Sequence, residues 1–280
     1  MSLSFRDLAT LAEFSEVVDL ERRIWGPGYE DAVPMPILSV TVKRGGILVG
    51  AFDDDRMVGF VYSMAGLKDG RPAQWSHMLG VIDEYRDAGL GFRLKLLQRE
   101  RALAMGLDLV EWTYDPMQAA NAHLNFAKLG VVVEEYEENA YGESASPLHG
   151  GNPTDRFVAE WWIRKPHVER RVALSGTSGT SGPFVLKSSE IADARPANRT
   201  RAAGEWLECV DVDLSLDVRR LTAQIPVGFT DMLARKPDLA LAWRLKTREI
   251  FTTYFARGYR AVDFYLDRAA RTGAYLLMRN

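Results

Sequence analysis

Arg86, Gly89 and Gly91 stand at R-x-x-G-x-G spacing between an apolar run, residues 75–81, and a helix-like segment rich in cations. Glycine at such a junction can take positive φ and lets another group come close to the peptide. The first amides of a following helix have no internal partners and lie at the positive end of its dipole, so an anion is the natural guest. Two nucleotide-binding patterns fit poorly. A dinucleotide fingerprint needs G-x-G-x-x-G early in a βαβ unit, but the third glycine position is Leu94 and several strands come first. A P-loop needs Gly-Lys followed by Ser or Thr, which is absent. The remaining alternative is that Gly89 and Gly91 only cap a helix.

The elements that must hold this loop can be traced in order. Residues 4–9 suit a short strand, and Leu11, Phe14, Val17, Val18 and Ile24 repeat at helical spacing until Gly26, Pro27 and Gly28. A second helix is expected over residues 34–43, with Pro36 in its first turn. ILVGAFD and RMVGFVYSMAG flank an Asp53-Asp54-Asp55 turn and form a hairpin, and WSHMLGV feeds the glycine loop. The next helix carries Leu90, Leu94 and Leu97 on one face, with Arg93, Lys95, Arg99 and Arg101 elsewhere, and ends at Gly106. Strand DLVEWTYD, a helix closing at Gly130, strand VVVEEYEENAYG, the excursion GESASPLHGGNP and strand DRFVAEWWI complete this part. A Ser/Gly/Thr stretch, residues 173–183, cannot build a core and is placed as a linker between domains 1–172 and 184–280. Beyond it, RRLTAQIPVGF, a long amphipathic helix ending at Gly258, RAVDFYLD and AYLLM repeat the strand, helix, strand pattern in shortened form, without a glycine loop.

Composition narrows the classes. The chain has 280 residues, 47% of them apolar, enough for one large or two ordinary domains. A net charge of −3 without a dense Lys/Arg run gives no reason to expect nucleic acid or an anionic membrane as partner. Cys209 is the single cysteine, which rules out an intramolecular disulfide and a thiol zinc cluster. His77, His123, His149 and His167 show no metalloprotease-like pairing, so no metal is expected. The polar, acidic start is unlike a signal peptide and no segment is apolar enough to span a membrane; a cytoplasmic chain is expected.

R-x-x-G-x-G directly after a strand and opening a helix resembles the pyrophosphate loop of the GNAT superfamily of N-acetyltransferases. NFAKLGV, residues 125–131, resembles that family's second motif, where an aromatic precedes a Lys-Leu-Gly turn. The likeness covers residues 4–163. The longer run WTYDPMQAANAHLNFAKLG, with NAYG and PTDRFVAEW after it, resembles a bacterial subgroup of predicted acetyltransferases. The resemblance implies an α/β (α+β) fold, a GNAT-like mixed central sheet flanked by helices, with the C-terminal segment as a smaller half-GNAT-like α/β unit. It implies that Arg86, Asp87, Ala88, Gly89, Leu90 and Gly91 hold the pyrophosphate of coenzyme A, that Arg93 and Lys95 reach toward the phosphorylated ribose or remain a solvated helix face, and that Leu79, Gly80 and Val81 supply backbone contacts, among them the oxyanion donor.

The same resemblance implies direct attack of an amine on an acyl thioester in a ternary complex, which leaves Cys209 without a role. The reaction needs a base for the ammonium proton, an oxyanion donor and an acid for the leaving thiolate. His77, on the strand before the loop and with an ordinary pKa near 6.5, is the first candidate base; Glu84 is the second. His77 also shares parity with Trp75, Leu79 and Val81, which suits a core histidine. The family's leaving-group tyrosine is replaced here by Phe126, which has no proton to give and can only line the cofactor site. Tyr141, Tyr136 or Tyr114 must then serve, or the thiolate leaves unassisted. Asn121 and Asn125 can bond the pantetheine arm or cap their own turn, with Asn121 favoured for contact. The expected function is therefore N-acylation of a small-molecule amine, an amino acid among the candidates, with acetyl-CoA as default donor and succinyl-CoA as second choice. The alternative is an inactive coenzyme A sensor. One coenzyme site per chain is expected, and a homodimer is left open.

Overall fold

Thr10 accepts a hydrogen bond from the Glu13 amide while Glu13 Oε2 accepts from the Thr10 amide at 2.9 Å, and this capping box starts α1, Leu11–Trp25. In this computed structural model, which describes residues 3–26, 29, 31–86, 88–142, 151–176, 191 and 193–279, the chain forms two compact units by internal contact. The first comprises Met1–Trp112 and Trp162–Arg164, the second Thr113–Trp161 and Lys165–Asn280.

The first unit runs β1 (Leu3–Asp7), α1, α2 (Met35–Lys43), β2 (Ile47–Asp53), β3 (Arg56–Lys68), β4 (Arg71–Val81), α3 (Leu90–Ala104) and β5 (Leu109–Tyr114), whose last two residues fall in the second unit. The strand order is β1-β2-β3-β4-β5; neighbours are antiparallel except β4 and β5, which are parallel. The hairpin at Asp54 forms as expected, with φ 52. A second hairpin, at Asp69 (φ 50) and Gly70 (φ 76), lengthens β4 to Arg71 beyond the strand read from WSHMLGV, and the Asp-Gly pair is its sequence signal. Helices α1 to α3 pack against β2, β3 and β4 around Val17, Leu38, Val49, Phe60 and Leu94, all fully buried. Truncating Leu94, at 0% exposure, to Ala would cost roughly 2–5 kcal/mol.

The second unit contains α4 (Ala119–Ala122), which continues as a π-helical turn His123–Leu129 and stops at Gly130 (φ 76). It also holds β6 (Val132–Glu137), β7 (Arg156–Trp162, its last residue in the first unit), α5 (Pro166–Gly176), β8 (Arg195–Pro196), β9 (Asn198–Ala203), β10 (Trp206–Val212), β11 (Arg220–Pro226), α6 (Phe229–Arg235), α7 (Pro237–Ala256), β12 (Arg260–Asp267) and β13 (Thr272–Met278). Its sheet order is β7-β6-β12-β13-β11-β8, mixed because β11 and β8 run parallel; β9 and β10 form a separate hairpin that the sequence reading missed.

The contact division falls after Trp112 rather than within residues 173–183. Its cause is β6, which pairs with β12 at Val133↔Ala261 and so joins residues 113–161 to the C-terminal segment. Residues 173–176 end α5 instead of opening a linker; residues 177–183, and 143–150 of the glycine-rich excursion with His149, lie outside the described residues.

Candidate acyl-CoA site

β4 pairs with β5 in parallel at Gln74↔Val110 and Trp75↔Glu111. From Ser76 to Val81, β4 runs beside β3. The chain then passes a short 3-10 turn, Asp83–Tyr85, and reaches α3 through Gly89, whose φ of 78 is left-handed. Nothing lies within 4 Å of where a Cβ on Gly89 would stand, and a Cβ on Gly91 would meet only Leu79 Cδ2 at 3.6 Å. Among the described residues, no group accepts a hydrogen bond from the amides of Ala88, Gly89, Leu90 or Gly91. Bare glycine backbone with open amides at the start of a fifteen-residue helix is what an anion requires.

Arg86 is half exposed and already engaged: Nε donates to the Val81 carbonyl at 3.2 Å and a terminal nitrogen meets Asp83 at 2.8 Å. Asp87 lies outside the described residues. Gly80 is required by packing rather than by a ligand, since a Cβ there would meet Ile24 Cδ1 at 2.8 Å and Phe60 Cε1 at 2.9 Å. Leu79 and Val81 are half-buried, and Leu90 is buried against the sheet. The two helix cations expected near a ribose phosphate are both occupied. The Arg93 guanidinium stacks on Phe5 at 4.2 Å, and Lys95, only 3% exposed, points into the protein. Lys95 thus corrects the amphipathic reading of α3: with Gln98 and Ala102 at i+3 and i+7 it falls on the buried stripe.

His77 sits at a β-bulge, the extra residue between Tyr62↔Met78 and Ser63↔Ser76. It is exposed and its ring has no hydrogen bond among the described residues; its one ring contact is edge-on to Tyr62 at 6.0 Å. A core histidine would be buried and bonded, so that alternative does not fit. Partial desolvation lowers its pKa below 6.5, leaving a neutral imidazole at pH 7 that can accept a proton. Glu84 is exposed, and its pKa lies below the ordinary value, chiefly through a bond to its own backbone amide and then through Arg23 at 2.9 Å and Arg56 at 3.3 Å. A carboxylate so held is a weak base.

Behind His77 lies a group that the sequence reading missed. Tyr62 shares a 2.6 Å hydrogen bond with Thr41, and Glu21, at 0% exposure, accepts from the Val33 amide at 2.7 Å with one oxygen while the other has no partner among the described residues. Burial pushes the Glu21 carboxyl up to about 7. Glu21 follows Phe14 and Val17 on the buried stripe of α1, and a carboxylate at an apolar position was the available signal.

The remaining candidates belong to the second unit. Phe126 is wholly buried, edge-on to Tyr275 at 5.7 Å, which makes it a core residue rather than a site wall. Asn121 is exposed and its side chain makes no hydrogen bond among the described residues, while Asn125 is buried. Tyr136 donates to Asp155 at 2.6 Å and Tyr114 is buried, and burial raises both phenols above their ordinary range. Tyr141 alone of the three is exposed, its hydroxyl 2.9 Å from that of Thr113. Cys209 is a buried thiol, raised by burial. Among the described residues, no three His, Cys, Asp or Glu stand close enough to hold a metal, and no helix is long and apolar enough to cross a membrane.

No family profile and no curated protein matches the chain. Among solved structures it is similar to an acetyltransferase of the GNAT family from Streptococcus pneumoniae, with 20% identity, 57% of this chain and 98% of that one covered, and a TM-score of 0.47. The ribosomal-protein-S18-alanine N-acetyltransferase from Escherichia coli has 15% identity, 58% and 94% coverage, and a TM-score of 0.47. A PaiA N-acetyltransferase from Thermoplasma acidophilum in complex with coenzyme A has 16% identity, 57% and 98% coverage, and a TM-score of 0.41. The likeness is one of fold.

Proposed function

We propose that this chain is an acyl-CoA-dependent N-acyltransferase that acylates the amine of a small molecule in a ternary complex. Acetyl-CoA is the default donor, succinyl-CoA the second, and an amino acid the favoured acceptor class. The observation that carries the reading is that β4 leads, through the turn at Gly89, to loop amides Ala88–Gly91 that have no acceptor among the described residues. The acyl-CoA supplies an activated carbonyl. The loop amides fit its pyrophosphate, and the backbone of β4 from Leu79 to Val81, which leads into the loop, is the source of donors to a developing oxyanion in this reading. His77, neutral and exposed on the same strand, takes the proton that an ammonium must lose before its nitrogen can attack.

A second reading, an inactive sensor of coenzyme A thioesters, draws on the replacement of the usual tyrosine by the core residue Phe126. Thiol release from acetyl-CoA and succinyl-CoA across a panel of amines and amino acids separates the two. Amine-dependent release supports the transferase; binding without release for any acceptor supports the sensor.

A further inference from the structure

Ser76 and Trp112 follow the register partners Trp75 and Glu111 of β4 and β5, and parallel neighbours in register face the same side of a sheet. Lys95, from α3, meets both. Its Nζ donates to Ser76 Oγ at 2.8 Å and to Gln98 Oε1 at 3.1 Å, and lies 3.6 Å from the centre of the Trp112 ring. Gln98 Nε2 donates to the same Ser76 oxygen at 3.0 Å, so the cluster closes on itself. Lys95 is 3% exposed, Gln98 0% and Ser76 5%, and no carboxylate among the described residues pairs with the amine. An amine buried without a counter-charge weakens a fold, whereas methionine would fill the same volume cheaply. What the amine adds is directional: it ties Ser76 of β4 to Gln98 of α3 beneath the Trp112 ring of β5.

We infer that Lys95 is a positioning residue, holding β4 from Ser76 onward against α3 and the Trp112 ring, so that the backbone leading to Val81 stays set for the acyl group. This rests on the proposed transferase reading, but the clamp also has a signature that needs no ligand. Desolvation holds the Lys95 pKa well below its ordinary value, as burial of an amine among Ser76, Gln98 and the Trp112 ring requires.

The test uses the full chain with Lys95→Met, Ser76→Ala and the double variant. Amide hydrogen exchange is followed along residues 76–81, with β2 as internal reference. Loss of the clamp should quicken exchange in residues 76–81 by on the order of tenfold while β2 keeps its protection, and Lys95→Met should melt at or above the wild-type temperature. Coenzyme A affinity should hold, because the pyrophosphate loop is untouched, while turnover falls on the order of tenfold. Ser76→Ala should reproduce the loss, and the double variant should be no worse than either single one. Unchanged local exchange in Lys95→Met, or single effects that multiply in the double variant, overturns the inference. Should Lys95→Met fail to fold, Ser76→Ala decides by the same exchange criterion. A wild-type chain that neither binds coenzyme A nor releases thiol would instead sink the transferase reading, and the exchange data would still decide the clamp.

Discussion

The Nε of Arg86 donates to the carbonyl of Val81 at 3.2 Å, so the end of β4 and the start of the glycine loop hold the turn between them closed. The same guanidinium meets Asp83 at 2.8 Å. Arg86 therefore shapes the loop before any phosphate arrives. Arg86→Ala should weaken acetyl-CoA binding by about tenfold through loosened amides, yet move the melting temperature little, since exposed ion pairs contribute under about 1 kcal/mol. Arg86→Lys cannot fork to both partners and should rescue only in part. Calorimetry reads the affinity, and an unchanged value in Arg86→Ala would remove the arginine from the account.

Gly80 and Gly91 should separate packing from binding. An added methyl at Gly80 collides with Ile24 and Phe60, and Gly80→Ala should destabilise the fold by roughly 1–3 kcal/mol. At Gly91 the methyl finds ordinary contact distance and a helical site, so Gly91→Ala should be neutral or stabilising in the free protein while weakening acyl-CoA binding. Thermal melts with and without acetyl-CoA measure both; equal behaviour of the two variants would contradict the assignment.

His77→Ala should bind acetyl-CoA normally, lose on the order of a hundredfold in turnover, and recover partly at high pH, where free amine becomes abundant. Because partial desolvation lowers the His77 pKa, the wild-type acid limb of kcat/KM should fall below pH 6.5, with activity rising as the imidazole loses its proton. The variant should lack that limb. Near-normal turnover at neutral pH would leave proton removal to water.

Glu21 should make stability fall as pH rises, the reverse of a paired carboxylate. Its folded-state pKa, raised from 4.5 to about 7, means that the folded chain holds a proton that the unfolded chain has released. That contribution is complete below about pH 4.5 and is lost through about pH 7, a change on the order of 3 kcal/mol at about 1.4 kcal/mol per pH unit. Glu21→Gln, which keeps an acceptor for the Val33 amide, should flatten the slope and be more stable than wild type at pH 8. An equal loss of unfolding free energy between pH 5 and 8 in wild type and Glu21→Gln, read by chemical denaturation, would show that Glu21 does not titrate there.

The loop and its flanking elements were legible because local chemistry dictates them. Leu11, Phe14, Val17 and Val18 announce α1 by their spacing, the Asp-rich turn announces the first hairpin, and Gly89 and Gly91 mark the junction between β4 and α3. What escaped depends on tertiary contact. Lys95 and Glu21 are ionisable residue types, and such a residue on a helix is read as solvated until the packed stripe that contains it is seen. The β-bulge at His77 comes from register with β3, which lies in another segment of the chain. The affiliation of residues 113–161 with the C-terminal segment rests on the Val133↔Ala261 pairing, between positions far apart in sequence and without a local signature.

The central claim, that open amides at the head of α3 hold the pyrophosphate of an acyl-CoA, is tested most directly by titrating acetyl-CoA into the wild-type chain and into the Gly89→Asp, Gly91→Asp double variant in a calorimeter. The account predicts saturable binding with one coenzyme per wild-type chain, and no measurable binding to a double variant whose circular dichroism shows it folded. Absence of binding to the wild type, or undiminished affinity in the folded variant, would contradict it.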